Sequence, residues 1–385
     1  MRIGIVTEEY WPSAGPVAEQ VQQFAREARR LGHAVRVFTG AIPELRRGAP
    51  RRSRWRGSPS SRSELRPSLL EGDVIRLARS RRLLLPGGAR RMAGGFGVGT
   101  ALRNALAGER LDVVHVHAPL SPVLPLLALH HATGPVVGTF HHPYRPGFLG
   151  RLFDRRLQRY LDRLDAVVVT SRAGLASLPE RVRGDLRVIP PGVDVERLAR
   201  GCRIRRYQDG RLNVLFAGAL EPECGLDVLL PAVHRAWCHA EVRLLVVGDG
   251  PLRARYRAQV PRGMEEDVVF ANPPAESRPD WFASADVCCV PGAAQDQVLE
   301  AMAAGRPVLA ADVEPNRELV RHGREGELLP PGDAGVWARC LVRMAQEPIR
   351  GAAYGERGRA AAQRYGWPGM AREILNLYRA IGVRG

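Results

Sequence analysis

The sequence predicts an α/β protein of two Rossmann-like halves, each a parallel sheet wrapped by helices. Three observations carry that expectation. At 385 residues the chain is too long for one ordinary hydrophobic core and fits two. Short apolar runs alternate with longer amphipathic stretches, the signature of βαβ units and hence of parallel strands. The alternation breaks at Pro190-Pro191-Gly192, stays polar and irregular to Arg211, and then begins again.

Arg2–Thr7 reads as the first strand. Pro12, Ser13, Gly15 and Pro16 make a turn, and Val17–Leu31 follows as a helix with Val17, Val21, Phe24 and Ala28 at helical spacing. Gly32-His33 ends that helix, and Ala34–Phe38 is the second strand. An arginine-rich segment interrupts, after which Asp73–Leu77 forms another strand. Asp112–Val116 and Val136–Phe140 are continuous apolar strands with a helix over Ser121–His131 between them. Ala166–Thr170 and Leu186–Ile189 complete the first sheet. The second sheet takes Asn213–Phe216, Val242–Val247, Val268–Ala271, Val287–Val290, Pro307–Ala310 and Glu327–Leu329, with helices that include Asp227–Trp237 and Gln297–Ala304. The tail Ala352–Ile381 is helical apart from a break at Gly366-Trp367-Pro368. The implied division is a first domain over 1–195 with an insert at about 44–91, a second over 196–366, and a terminal helix over 367–385 returning to the first. Two such sheets facing one another would offer ligands the carboxyl ends of their strands, in a cleft.

Composition narrows the class. Hydrophobic residues at 45% and charged residues at 25% describe a globular chain, not a disordered or fibrous one. No run of about 18 apolar residues occurs, so no spanning helix is expected. Met1-Arg2-Ile3-Gly4-Ile5 enters a strand directly without a secretory leader, which points to the cytoplasm. The six cysteines form neither a CxxC pair nor a zinc-spaced cluster with histidine, so reduced and mostly buried thiols are expected and a metal site is not. All 57 basic residues are arginine, which excludes a Walker-A or Schiff-base lysine. Their concentration is uneven: Arg46 to Arg91 holds 14 arginines against Glu64, Glu71 and Asp73. That run, including Arg51, Arg52, Arg54, Arg81 and Arg82, reads either as a solvated loop or as a patch for an anionic surface such as lipid headgroups. Nucleic acid fits less well, since Trp55 is its only aromatic residue.

Several phrases then match one family. They are Asp112-Val113-Val114-His115-Val116-His117-Ala118-Pro119, Gly138-Thr139-Phe140-His141 and Ile189-Pro190-Pro191-Gly192-Val193-Asp194. In the second half stand Leu215-Phe216-Ala217-Gly218, Leu245-Val246-Val247-Gly248-Asp249-Gly250-Pro251 and Glu300-Ala301-Met302-Ala303-Ala304-Gly305-Arg306-Pro307-Val308. Together they resemble glycosyltransferase family 4, retaining enzymes of the GT-B fold, and are nearest its bacterial phosphatidylinositol mannosyltransferase branch. The resemblance implies transfer of a sugar from a GDP- or UDP-linked donor to a lipid or other anionic acceptor. It implies no tightly bound cofactor and no protein-held metal, with the acceptor in the first half and the donor in the second. Association with the inner face of the membrane through the arginine segment would follow.

The same resemblance assigns residues. A leaving nucleoside diphosphate needs N–H groups and cations aimed at its phosphates. The family's glycine-rich turn corresponds to Ser13-Ala14-Gly15-Pro16-Val17, where Gly15 is kept and Pro16 has no N–H to give; a helix start with proline in its first turn reads the same residues without function. The family's diphosphate-clamping arginine and lysine fall on Ala219 and Cys224, and Glu221 and Glu223 stand beside them. Of its paired glutamates, Glu300 matches the one that binds the donor ribose, or else is an acid favoured at a helix start. The other is missing from the loop after Pro291, where Gln295 or Asp296 stands nearest. His141 matches the histidine that contacts the sugar or acceptor. Gly218, Gly248, Val298, Leu299 and Glu318 complete the implied donor contacts. His115 and His117 read as packing in a buried strand, and Arg205 or Arg324 could replace the lost cations. Two functions therefore stand: an active transferase, or a catalytically impaired relative retained for binding, regulation or partnership.

Overall fold

The computed structural model describes residues 1–8, 10, 15–41, 73–85, 88–95, 97–141, 154–179 and 182–383. They form two compact units, one of Met1–Pro190 with Met370–Gly385 and the other of Pro191–Gly369.

The first unit is built on β1 (Arg2–Val6), β2 (Ala34–Ala41), β3 (Val74–Leu85), β4 (Gly88–Gly94), β5 (Val113–His117), β6 (Val136–Phe140), β7 (Ala166–Val169) and β8 (Asp185–Val188). Their spatial order is β4-β3-β2-β1-β5-β6-β7-β8. Burial explains the strands: β5, β6 and β7 are buried at every residue, as continuous apolar runs must be when helices cover both faces of a parallel sheet. The helix Pro16–Arg30 begins on proline and turns Val21, Phe24, Ala25 and Ala28 inward. A core of Val6, Phe38, Leu102, Val114, Val116, Leu124, Leu129, Val136 and Val167 fills one side of the sheet, each large side chain contributing roughly 1.5–3 kcal/mol.

The arginine-rich stretch departs from the sequence expectation. Its strand does not stop at Leu77 but runs to Leu85 and pairs antiparallel with β4, from Arg79 opposite Gly94 to Leu85 opposite Gly88. Thus part of the region expected as an insert is an edge hairpin on an otherwise parallel sheet. Interleaved arginines hid the strand pattern, and its partner became visible only through pairing. Arg81 and Arg82 lie on β3, with their side chains outside the described atoms; Arg51, Arg52 and Arg54 lie outside the described residues altogether.

The second unit orders β9 (Leu212–Ala217), β10 (Val242–Val247), β11 (Val268–Ala271), β12 (Val287–Val290), β13 (Val308–Ala311) and β14 (Gly326–Leu329) as β11-β10-β9-β12-β13-β14, all parallel. Two apolar clusters cover its faces, one around Phe216, Leu244, Leu309 and Trp337, the other around Leu215, Leu245, Cys288, Leu299 and Met302. Cys288, Cys289 and Cys340 are buried thiols as expected, but Cys202 and Cys238 are exposed and Cys224 is half-buried.

In each unit strand order reverses beside its first strand, between β1 and β5 and between β9 and β12. Open α/β sheets bind ligands outside the carboxyl ends of strands at that reversal. The residues following Val6, His117, Ala217 and Val290 are therefore where a site belongs.

Candidate functional site

In the second unit three backbone turns crowd together past those strand ends. Gly248 has φ 149, and a Cβ there would collide with the Gly218 carbonyl. A side chain on Gly218 would likewise run into Gln297. Glycine is required at 248, where the φ and the backbone contact both exclude a side chain, whereas at 218 a Cβ would meet only the movable end of Gln297. Ala219 is exposed and Cys224 half-buried on the loop before the helix Leu226–Trp237.

Beside these turns lies the helix Gln295–Ala303. Gln295 is buried, and its Nε2 donates to the Pro315 carbonyl at 3.2 Å, so its side chain braces the neighbouring segment. Val298 and Leu299 are fully buried in the core, and the Val298 N–H is spent on Ala294 O. Helical periodicity turns the side chains of both residues into the sheet. Glu300 points the other way. Its carboxylate accepts two hydrogen bonds from Arg278, Nε to Oε1 and Nη2 to Oε2, both 2.6 Å. Arg278 Nη2 also lies 3.5 Å from the Ala217 carbonyl, at the very end of β9.

Arg278 is a site residue that sequence reasoning missed. It comes 22 positions before Glu300 at the start of the helix Arg278–Ser284, and only the tertiary fold joins the two. The arginines singled out instead go elsewhere: Arg205 is exposed on a single-turn helix and Arg324 lies 3.7 Å from Glu325.

Around Cys224 the electrostatics are acidic, while Arg253 donates to the Gly248 carbonyl at 2.7 Å. Burial pushes the Asp296 carboxyl up, Glu300 pushes it further, and Arg278 opposes both. Burial raises the Cys224 thiol to about 11, with Glu221, Asp296 and Glu223 adding to it. Where the resemblance calls for a lysine, the chain therefore has a neutral thiol among carboxylates. Glu318 is half-buried just past the short helix Glu314–Arg317, whose Asn316 donates to Gly292 O and Ala311 O at 2.9 Å each. The N–H groups of Gly218 and Gly248 are spent on Val247 O and Ala271 O, so such an array offers one carboxylate to hydroxyls and the guanidinium groups of Arg278 and Arg253 to a charge.

In the first unit, Gly15 precedes the helix Pro16–Arg30 with no side-chain cap. Past β1, Glu8 accepts from the N–H groups of Ala93 on β4 at 2.7 Å and of Leu124, the first residue of the helix Leu124–His131, at 2.9 Å. Next to them Ala118 and Val123 hold φ of 50° and 84°, conformations that cost of order 1–3 kcal/mol and cluster at functional sites. His141 follows β6, half-buried, with Nε2 2.9 Å from His117 Nδ1. His117 stacks on His141 and on His115, with centroids 5.1 and 4.6 Å apart. His115 Nδ1 is 2.6 Å from the Tyr378 hydroxyl and its Nε2 is 2.6 Å from Thr139 Oγ1. Burial drives His115 down to about 3 and His117 well below the usual imidazole range, so both rings are neutral. The two histidines are thus more than packing: they join the terminal helix to His141.

The described residues hold no group of three or more His, Cys, Asp or Glu side chains able to bind a metal, and no helix long and apolar enough to cross a membrane.

Comparison with known proteins assigns the class. The structure of the Anabaena protein HepE in complex with UDP and glucose covers 99% of this chain and 100% of its own at a TM-score of 0.72 and 20% identity. Sucrose-phosphate synthase of Thermosynechococcus elongatus matches at 0.72 and 21% over 99% and 98%. The fold is that of the GT-B glycosyltransferases. Residues 17–197 match Glycosyltransferase Family 4 and residues 211–347 match Glycosyl transferases group 1. Among relatives, the D-inositol 3-phosphate glycosyltransferase of Xylanimonas cellulosilytica is 32% identical over 69% of this chain and 71% of its own length. The phosphatidyl-myo-inositol mannosyltransferase of Mycobacterium leprae is 29% identical over 100% and 98%. The chain belongs to glycosyltransferase family 4.

Proposed function

We propose that this glycosyltransferase moves a sugar, with retained configuration, from a GDP- or UDP-linked donor to a lipid or other anionic acceptor. The observation that carries the reading is Glu300, set past the β9–β12 reversal beside a backbone turn that requires glycine at 248. A carboxylate has four acceptor positions, and Arg278 takes one on each oxygen. Two remain for the neighbouring hydroxyls of a ribose. In this reading Gly15, Ala219, Cys224, Asp296 and Glu318 border the donor, and His141 meets the transferred sugar. The acceptor class follows the full-length relatives named for phosphatidyl-myo-inositol, and the arginines of 46–91 would hold its anionic headgroup or the membrane surface.

Calorimetry with UDP and GDP, followed by hydrolysis and transfer assays with the matching sugar nucleotides, tests the donor half. Binding with turnover, weakened by Glu300→Ala, is expected; flat titrations with both nucleotides refute it. Sedimentation with phosphatidylinositol vesicles tests the acceptor half, and capture should fall as salt rises.

One observation favours the second reading, an impaired relative. Cys224 is surrounded by Glu221, Glu223 and Asp296, which disfavour a diphosphate. Nucleotide binding without hydrolysis or transfer would select it.

A further inference from the structure

A cavity of about 1040 Å³ opens in the second unit at the amino ends of β9, β12 and β13, where Leu212, Asp286 and Pro307 border it. This is the opposite end of the sheet from the turns beside Glu300. At about 3.3 Å per residue, β9 sets Leu212 roughly 17 Å from Ala217. Three arginines line the cavity from separate segments: Arg203 from the loop before β9, Arg306 from the turn after the helix Gln295–Ala303, and Arg359 from the helix Pro348–Ala362.

Arg306 is the anomaly. It is half-buried, its Nε is closed to solvent, and its guanidinium makes no hydrogen bond or ion pair with any described residue. Other withdrawn arginines of the unit are answered: Arg243 by Asp209, Arg278 by Glu300, and Arg253 by the Gly248 and Phe270 carbonyls. A guanidinium has five donors and no acceptor, and withdrawing its charge from water without a partner is costly. Burial, then Arg203 and Arg359, pull Arg306 below the usual guanidinium range, against Cys288 and Asp286. Asp286 is already committed. It takes Arg203 Nη2 and accepts from the Asn213 N–H at 2.9 Å and Nδ2 at 3.1 Å. Arg359 Nη2 donates to Ala304 O at 2.9 Å and has no carboxylate. Arg211, also at the cavity, is spent on Asp267, while Glu241 and Glu356 are exposed there and in no ion pair. Around Arg306, three guanidinium groups against one committed carboxylate leave two positive charges unanswered.

We propose that this cavity binds the phosphate group of a small anionic ligand, held by Arg306, Arg203 and Arg359. Two unanswered charges match a phosphate dianion, whose oxygens accept from guanidinium forks. The first turn of the helix Pro348–Ala362 lines the same space through Pro348 and Gly351, and the positive end of its dipole favours an anion. The volume exceeds what a bare phosphate fills and leaves room for the body of a phosphorylated metabolite. This site is separate from Glu300 and stands whether or not the chain binds a sugar nucleotide.

Calorimetry of the full chain with inorganic phosphate and with glycerol 3-phosphate tests it, each alone and in the presence of UDP and of GDP. A single site that persists beside the nucleotides is expected. Arg306→Gln and Arg359→Gln should each weaken it about tenfold. Arg262→Gln, which removes an exposed arginine outside the cavity, should leave it unchanged. Tighter binding of glycerol 3-phosphate assigns the site to a phosphorylated metabolite, and equal affinity assigns it to the free ion. Flat titrations with both probes, or displacement of both by UDP or GDP, would overturn the proposal. So would equal losses in Arg262→Gln and Arg306→Gln, which mark a general attraction to a chain of net charge +17. Should Arg306→Gln fail to fold, Arg359→Gln, exposed and bonded only to Ala304 O, decides in its place.

Discussion

Breaking the Arg278–Glu300 pair should cost the second unit stability in a way that neither residue alone accounts for. The pair is bidentate and charge-assisted, both bonds are 2.6 Å, and the two side chains are 29% and 17% exposed. Hydrogen bonds to charged groups contribute about 1.5–3 kcal/mol where buried and less as water screens them, so about 2 kcal/mol is expected here. For a unit of this size that corresponds to a melting shift of roughly 4–8 °C. The assay is a double-mutant cycle of Glu300→Gln, Arg278→Gln and the double variant, followed by tryptophan fluorescence. Trp237, Trp281, Trp337 and Trp367 all belong to the second unit, so the signal reports it chiefly. A coupling of about 1–2 kcal/mol is expected. Losses that add within about 0.5 kcal/mol would show that the pair is held by its surroundings and contributes nothing of its own, and the assignment of Arg278 to the site would fall with it.

Further tests follow from other contacts. Asp296→Asn should raise the melting temperature more at neutral pH than at pH 4. The folded carboxyl is raised, so the wild type loses stability as pH climbs from the ordinary carboxylate value through the raised one, and the amide does not titrate. For the first unit the sign is opposite. His115 and His117 are held neutral, so stability is full above the ordinary histidine value and drains away as pH falls from there toward about 3; acid titration of the circular dichroism signal, compared with His115→Gln, checks this. Tyr378→Phe removes the partner 2.6 Å from His115 and should cost about 1–3 kcal/mol in urea unfolding. Gly248→Ala sets a methyl against the Gly218 carbonyl and should cost about 1–3 kcal/mol while disturbing nucleotide binding in calorimetry.

Much of this architecture could be read before any coordinates. Val136–Phe140, Val242–Val247, Val268–Ala271 and Val287–Val290 are strands at the residues their apolar runs predict, because strands of a parallel sheet flanked by helices are mostly apolar. Glycines at 218 and 248 also announced themselves, since each directly follows an apolar run whose strand had to end in a turn. Charge density spoke less clearly. From Arg79 to Arg91 the arginines pointed to a loop, yet the backbone pairs as a hairpin. Backbone hydrogen bonds between strands are indifferent to the side chains that a periodicity argument counts.

By itself the sequence determined two nucleotide-fold units, their strands, and the family to which their phrases belong. It also determined that the charges expected at Ala219 and Cys224 are absent, since identity at a position needs no coordinates. Only the tertiary structure decided which arginine stands at Glu300 and what stands behind His141. Arg278 reaches across 22 residues, and Tyr378 reaches His115 across 263. Contacts of that span are set by the order of strands in a sheet and the return of a distant helix, and no local pattern of residues encodes either.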